Sequence, residues 1–146
     1  MKPTVVFTSF WDANAIVKWS SKDYQVFSIA LGIPSYDKIP YLKNIPKLQH
    51  FCPTYELLTD YKSDKDWDKY RVEYRKILVA RKEEIDSWIK GLEQDKVYML
   101  CCWETTGNTV RCHRELLFDA LKATHIWRDK AVWIYRSGSE EYDTWL

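Results

Sequence analysis

Between positions 102 and 114 the chain carries Cys102, Glu104, Cys112, His113 and Arg114. Thiols, a carboxylate and an imidazole are the groups that nucleophilic and acid–base chemistry uses, and a guanidinium binds anions. Three uses of the set stand open. Cys102 or Cys112 is a nucleophile, with His113 as its base and Glu104 as acid or orienter. Alternatively, a helix start and its arginines bind a phosphate or carboxylate with no chemistry at sulfur. The third use is zinc, since Cys, His and Glu all ligate it; the short Cys-x-x-Cys spacing of common zinc motifs is absent, and no other cofactor is implied. Each residue also has a structural use on its own. Cys102 can be a small buried hydrophobe, His113 a partner for a backbone carbonyl, and Arg114 a counter-ion for Glu104. Taken together they point to a site, because perturbed titratable groups gather at sites.

The elements that must position them emerge from patterning. Residues 97–103 form an apolar run without alternation, as in a central parallel strand covered on both faces. Cys101 and Cys102 close that run and point to opposite faces, so only one shares a face with the next loop. Gly107-Asn108 marks a turn, and Thr109 is a cap for a helix over 111–122 whose core stripe is Leu116, Leu117, Ala120 and Leu121. Cys112, His113 and Arg114 then occupy the first turn, where the helix dipole and nearby cations favour a thiolate at Cys112.

Residues 4–8 read as a buried strand and 13–19 as a helix capped by Ser9 or Asp12. A second strand over 24–31 ends at Gly32 and Pro34. Strand, helix, strand is the pattern of a parallel sheet. Ligands of such sheets bind beyond the carboxyl ends of the strands. That brings Thr8, Ser9, Pro34 and Ser35 onto loops beside the cysteines. Trp11, Tyr36 and Trp103 are then placed to stack on a base. Over 33–53, Pro34, Pro40, Pro46 and Pro53 exclude a long helix. Ile39, Leu42, Ile45, Leu48 and Phe51 nevertheless make this an ordered loop laid across the sheet. Pro53 opens a helix to about residue 61. A helical stripe (Trp67, Tyr70, Tyr74, Ile77, Leu78, Ile85, Trp88, Ile89) runs over 64–92, as one helix or as two with a bend near 79–81; its use is core packing. A fourth strand covers 131–136, and 137–146 form an acidic peripheral tail.

Apolar residues at 46% and charged residues at 29% place the chain with soluble globular proteins, as one domain over 1–146. A net charge of +1 gives no support to nonspecific nucleic-acid binding. The N-terminal residues lack the pattern of a secretory leader, and no apolar run reaches membrane-spanning length. With only four cysteines and ample apolar residues for a core, the expected setting is the cytoplasm, with reduced thiols.

Cys102-Trp103-Glu104 followed by Cys112-His113-Arg114 resembles the Cys-x-Glu…Cys-His-Arg signature of the domain-of-unknown-function family 488. Thr8-Ser9 resembles that family's Thr/Ser loop after the first strand, and Pro34-Ser35 its Pro-Ser loop after the second. Two places differ: Ser28-Ile29-Ala30 stands where the family carries an Asp-Val-Arg-like triplet, and Phe10-Trp11 where a Gly-His step is common. The resemblance implies a compact α/β domain of Rossmann-like type with a cysteine-containing site. It implies no established reaction.

The expectation is therefore a single α/β domain with a small, mainly parallel sheet and helices on both faces. A pocket at the strand ends binds a small anionic ligand, a nucleotide or nucleic-acid element, with thiol- or carboxylate-assisted transfer or hydrolysis if it is an enzyme. Its wall is Cys102, Glu104, Cys112, His113 and Arg114. The alternatives are a sequestering protein using the same pocket, and a protein-interaction module using the aromatic loop 36–51.

Overall fold

A computed structural model describes residues 2–20, 22–103 and 112–136. Its centre is a four-stranded, all-parallel sheet of β1 (Thr4–Ser9), β2 (Tyr24–Ser28), β3 (Val97–Cys102) and β4 (Val132–Tyr135), in the order β2-β3-β1-β4. β1 is flanked on both sides, and Val5, Val6 and Phe7 have no exposed surface. Each such side chain contributes about 1.5–3 kcal/mol through burial. The unbroken apolar pattern of β1 and β3 is that of strands covered above and below.

α1 (Phe10–Trp19) links β1 to β2, so the chain moves one way across the sheet; α5 (His113–Ala123) and α6 (His125–Arg128) link β3 to β4 and move the other way. Right-handed crossovers then put α1 on one face and α5 on the opposite face. The strand pleat agrees. Phe7 packs edge-on against Phe118 of α5, which leaves Val6 and Thr8 for the α1 face. Between β2 and β3 come α2 (Tyr55–Asp64), α3 (Trp67–Ala80) and α4 (Lys82–Lys90), with α3 packed on α5. The structure thus has helices on both faces of a parallel sheet.

Several boundaries differ from the sequence reading, each for a local reason. α1 begins at Phe10, not residue 13, because Ser9 is its cap and accepts from Asp12 N at 3.0 Å. β2 ends at Ser28, not residue 31. The Ser28 hydroxyl donates to Ala30 O and accepts from Ala30 N, which turns the chain off the ladder. α2 begins at Tyr55 behind a Thr54 cap, leaving Pro53 outside it, and runs on to Asp64, where Lys65 takes the left-handed conformation at φ 55°. The stripe over 64–92 is two helices, broken at Arg81. That side chain donates to Gln49 O at 2.9 Å and Cys52 O at 2.6 Å. α6 is a short element that no pattern announced, and β4 spans Val132–Tyr135, inside the expected 131–136.

The proline segment wraps the β2 edge. Tyr41 N donates to Asn14 of α1 on one side, Lys47 bridges Ser28 on the outer edge of β2, and Phe51 packs on Trp88 of α4 on the other side. Ile39, Leu42 and Phe51 are buried in the core. A sheet edge left open invites pairing with another chain; here the protein covers part of it itself. No helix among the described residues is long and apolar enough to cross a membrane.

Candidate functional site

The carboxyl ends of β1 and β3 lie side by side, with Thr8 opposite Cys101 and Ser9 opposite Cys102. The connections leaving these two strands depart to opposite faces, so this pair marks the reversal point of the sheet, where open α/β sheets bind ligands. Of the two adjacent cysteines, Cys102 faces α5 and Cys101 faces α1 with Thr8.

Cys112 is the residue that caps α5. Its sulfur accepts from Arg114 N at 3.5 Å, and the helix starts at His113. The helix therefore begins two residues later than expected; Thr109, Arg111 and the Gly107-Asn108 turn lie outside the described residues, as do Glu104 and the tail over 137–146. The Cys112 thiol donates to Cys102 Sγ at 2.9 Å. His113 Nδ1 lies 3.7 Å from Cys112 Sγ and 4.0 Å from Cys102 Sγ. Its other nitrogen, Nε2, lies 2.7 Å from Ile29 O. A carbonyl only accepts, so Nε2 carries a proton, and Nδ1 is the nitrogen turned towards both sulfurs. Tyr74 of α3 packs edge-on against this ring at 5.4 Å, and its hydroxyl donates to Phe51 O at 2.7 Å. Cys102, Cys112 and His113 are each 4% exposed.

One expectation is overturned. The dipole and nearby cations do not make Cys112 a thiolate. Its hydrogen bond to Cys102, and then its burial, hold the thiol well above the ordinary cysteine range, against the opposing pull of His113. The sulfur that receives this hydrogen bond is Cys102. The other two cysteines are chemically quiet. Burial pushes Cys52 up to about 11, and Cys101, with no exposed surface, is raised further.

Arg114 is 2% exposed, and its guanidinium donates to Thr8 O at 2.8 Å and Tyr135 OH at 3.2 Å. A second buried guanidinium, Arg136, pairs with Asp12 at 3.0 Å, while Arg136 N donates to Phe7 O. Asp12 is bound in turn by the Ser9 hydroxyl at 3.0 Å. Two guanidinium groups thus stand at the ends of β1 and β4, one of them paired with Asp12. Thr8 Oγ1 is buried and has no hydrogen-bond partner among the described residues.

The aromatic candidates divide. Trp103 is 42% exposed, donates to Gly32 O at 2.8 Å and packs edge-on against Phe10 and Trp11. Trp11 and Trp103 therefore form one cluster at the strand ends. Tyr36 turns its hydroxyl to Asn44 N within the proline segment; Ser35 is exposed and Pro34 buried. Cys102, Cys112, His113, Arg114, Thr8 and Ser9 are brought together. Tyr36 serves its own segment. Tyr74, Tyr135, Asp12 and Arg136 also belong to the surroundings, although the motif does not contain them. For Asp12 and Arg136 a signal existed: each is a charge adjoining an apolar strand or helix start.

Ligand atoms of Cys102, Cys112 and His113 all lie within 4.8 Å of one another. Two thiolates on one tetrahedral zinc stand about 3.8 Å apart, from Zn–S bonds of about 2.3 Å. The sulfurs here are at hydrogen-bonding distance, nearly an ångström closer. A separate groove of about 710 Å³ runs between α3 and α5, floored by Leu78, Leu116 and Trp127 and rimmed by Arg71, Arg75 and Lys82. Tyr74, whose ring packs on His113, is among the residues that line it.

No curated protein and no solved structure matches the chain. A family model described as DUF488-N3a, the active DUF488-N3 subclade, matches residues 41–125. That span includes both halves of the cysteine motif and the helices that pack behind it, so the chain belongs to the DUF488 family.

Proposed function

We propose that the strand-end cluster is a reactive-thiol site for a small anionic ligand of the nucleotide class. The observation that carries this reading is the Cys112–Cys102 hydrogen bond at 2.9 Å, with His113 Nδ1 turned to both sulfurs. In this reading Cys102 is the nucleophile, Cys112 the donor that supports its negative charge, and His113 the proton acceptor. Buried Arg114 supplies positive charge, and Trp103 beside Trp11 offers a ring face to a base. Glu104 is the carboxylate that the sequence adds next to Cys102.

The reaction class is transfer or hydrolysis at a glycosidic or phosphate-linked centre. The Cys102 proton passes to His113 Nδ1, and the sulfur forms a bond to the electrophilic carbon or phosphorus. The bond to the leaving group breaks with its electron pair, and that group takes the proton from His113. Water then cleaves the bond to sulfur and restores the thiol. We read the sheet as Rossmann-like in placing its ligand at the reversal point, and the setting as the cytoplasm, where thiols stay reduced.

The test measures alkylation of Cys102 in a panel of nucleoside mono- and diphosphates and short oligonucleotides, alongside product analysis. Protection of Cys102, with product formed by the native protein and lost in Cys102→Ser, supports the reading. An alkylation rate that no member of the panel changes, with no product, removes it. Protection without product moves the protein to the sequestering class.

A further inference from the structure

The four cysteines fall into two pairs of opposite character. Cys52 lies against Ala30 O and Leu48 O, at 3.6 and 3.4 Å, and Cys101 sits in the sheet with no exposed surface; neither has a thiol neighbour among the described residues. Cys102 and Cys112 come from different elements, a strand end and a helix cap, yet their sulfurs touch at 2.9 Å. Burial alone would be met by any small apolar residue. The cap would be met better by Ser or Asp, which are stronger caps than Cys. Neither role accounts for two thiols in contact beside an imidazole whose Nδ1 is turned to both sulfurs.

We propose that Cys102 and Cys112 are a dithiol pair oxidised by a small hydroperoxide, Cys102 reacting first and Cys112 resolving the product into an intrachain disulfide. The proposal rests on the reading of Cys102 as the reactive thiol and adds regulation of that site. In the first step Cys102 passes its proton to His113 Nδ1, 4.0 Å away, and the sulfur attacks the terminal oxygen of the O–O bond. A Cys102 sulfenic acid forms and the second oxygen leaves as hydroxide or alkoxide, which takes a proton to become water or alcohol. In the second step the Cys112 thiol passes its proton to His113 Nδ1, 3.7 Å away, and attacks the Cys102 sulfur. The S–S bond forms, the S–O bond breaks, and the departing hydroxide takes that proton and leaves as water. The two thiols lose two electrons in all and the peroxide gains them. The sulfurs need to close from contact to a bond of about 2.05 Å, a shift of less than an ångström. At 4% exposure the pair admits a small oxidant more readily than a bulky one. A dithiol reductant reverses the change by exchange. Oxidation consumes the proposed nucleophile and spares Cys102 from irreversible over-oxidation.

The experiment treats fully reduced protein with one equivalent of hydrogen peroxide, denatures it in N-ethylmaleimide, and measures intact mass and peptides. The expected product lacks two hydrogens, takes up maleimide at Cys52 and Cys101 only, yields a Cys102–Cys112 linked peptide, and regains all four thiols in dithiothreitol. Cys112→Ser, which keeps a good helix cap, is expected to stop at a Cys102 sulfenic acid trapped by dimedone; Cys102→Ser forms no link. The proposal is overturned by peroxide-treated native protein with no Cys102–Cys112 link. It is equally overturned if native Cys102 reaches sulfinic acid as fast as in Cys112→Ser. This mass readout does not depend on any nucleotide. A linked peptide in a protein whose reduced form binds nothing in the nucleotide panel would therefore uphold the pair while removing the ligand reading.

Discussion

At the scale of single residues, the imidazole of His113 decides how the site is wired. Its Nε2–H is committed to Ile29 O, which leaves Nδ1 for the sulfurs. His113→Ala would strand a buried carbonyl and cost about 1–3 kcal/mol, read as a lower urea midpoint. The two thiols should also separate by reactivity. Because Cys112 is held protonated by its bond to Cys102 and by burial, iodoacetamide should label Cys102 before Cys112, which needs more alkaline solution. Labelling in the reverse order would sink the assignment of donor and acceptor. Arg114→Lys keeps the charge, but a single ammonium cannot reproduce the fork that reaches both Thr8 O and Tyr135 OH. The expected loss is about 1–3 kcal/mol, seen as a drop of roughly 2–4 °C in Tm per kcal/mol. The motif residues were legible in the sequence because their types carry chemistry wherever they stand. Their wiring was not. Nothing local indicates that His113 meets residue 29, or that Arg114 meets Tyr135.

At the scale of elements, caps and breaks carried most of what patterning missed. Helix periodicity showed that 64–92 is helical, but the break at Arg81 answers to Gln49 and Cys52, far away in the chain. Likewise, Cys is an uncommon cap, so residue types alone place the start of α5 too early, at Thr109 and residue 111. The α1 cap, by contrast, could be read directly. Ser9→Ala should cost about 1 kcal/mol from the lost cap. Asp12→Ala should cost more, on the order of 3 kcal/mol, since Arg136 is 2% exposed and faces that carboxylate. Chemical denaturation of both variants and of the double variant would test the order. Because Ser9 also binds Asp12, the double variant should lose less than the sum.

At the scale of the whole molecule, the buried thiols couple stability to pH. Cys52 titrates near 11 in the folded chain against an ordinary value of 9.0, and Cys101, Cys112 and Tyr74 are likewise raised, chiefly by burial or, for Cys112, by its bond to Cys102. Between these values the unfolded chain has released the proton while the folded chain still holds it. Stability is then full below about pH 9 and falls as the pH rises, by at most about 1.4 kcal/mol per pH unit for each such group. Urea midpoints at pH 8 and pH 10.5 should show the fall, and Cys52→Ala should make it shallower. The α/β class was legible because strand, helix and strand succeed one another in the first residues. The strand order was not, since periodicity says which face is buried and nothing about which strand is the neighbour.

That order has a consequence for how the protein is made. β1 and β2 are completed early, yet they do not touch; β3 stands between them, and the second neighbour of β1 is β4. A nascent chain leaving the ribosome therefore holds two apolar strands that cannot pair until Val97–Cys102 has emerged. The motif-bearing strand is also the piece that joins β1 and β2 into one sheet, so that sheet must wait for it. Until that moment Val5, Val6 and Phe7 are exposed apolar surface rather than a core.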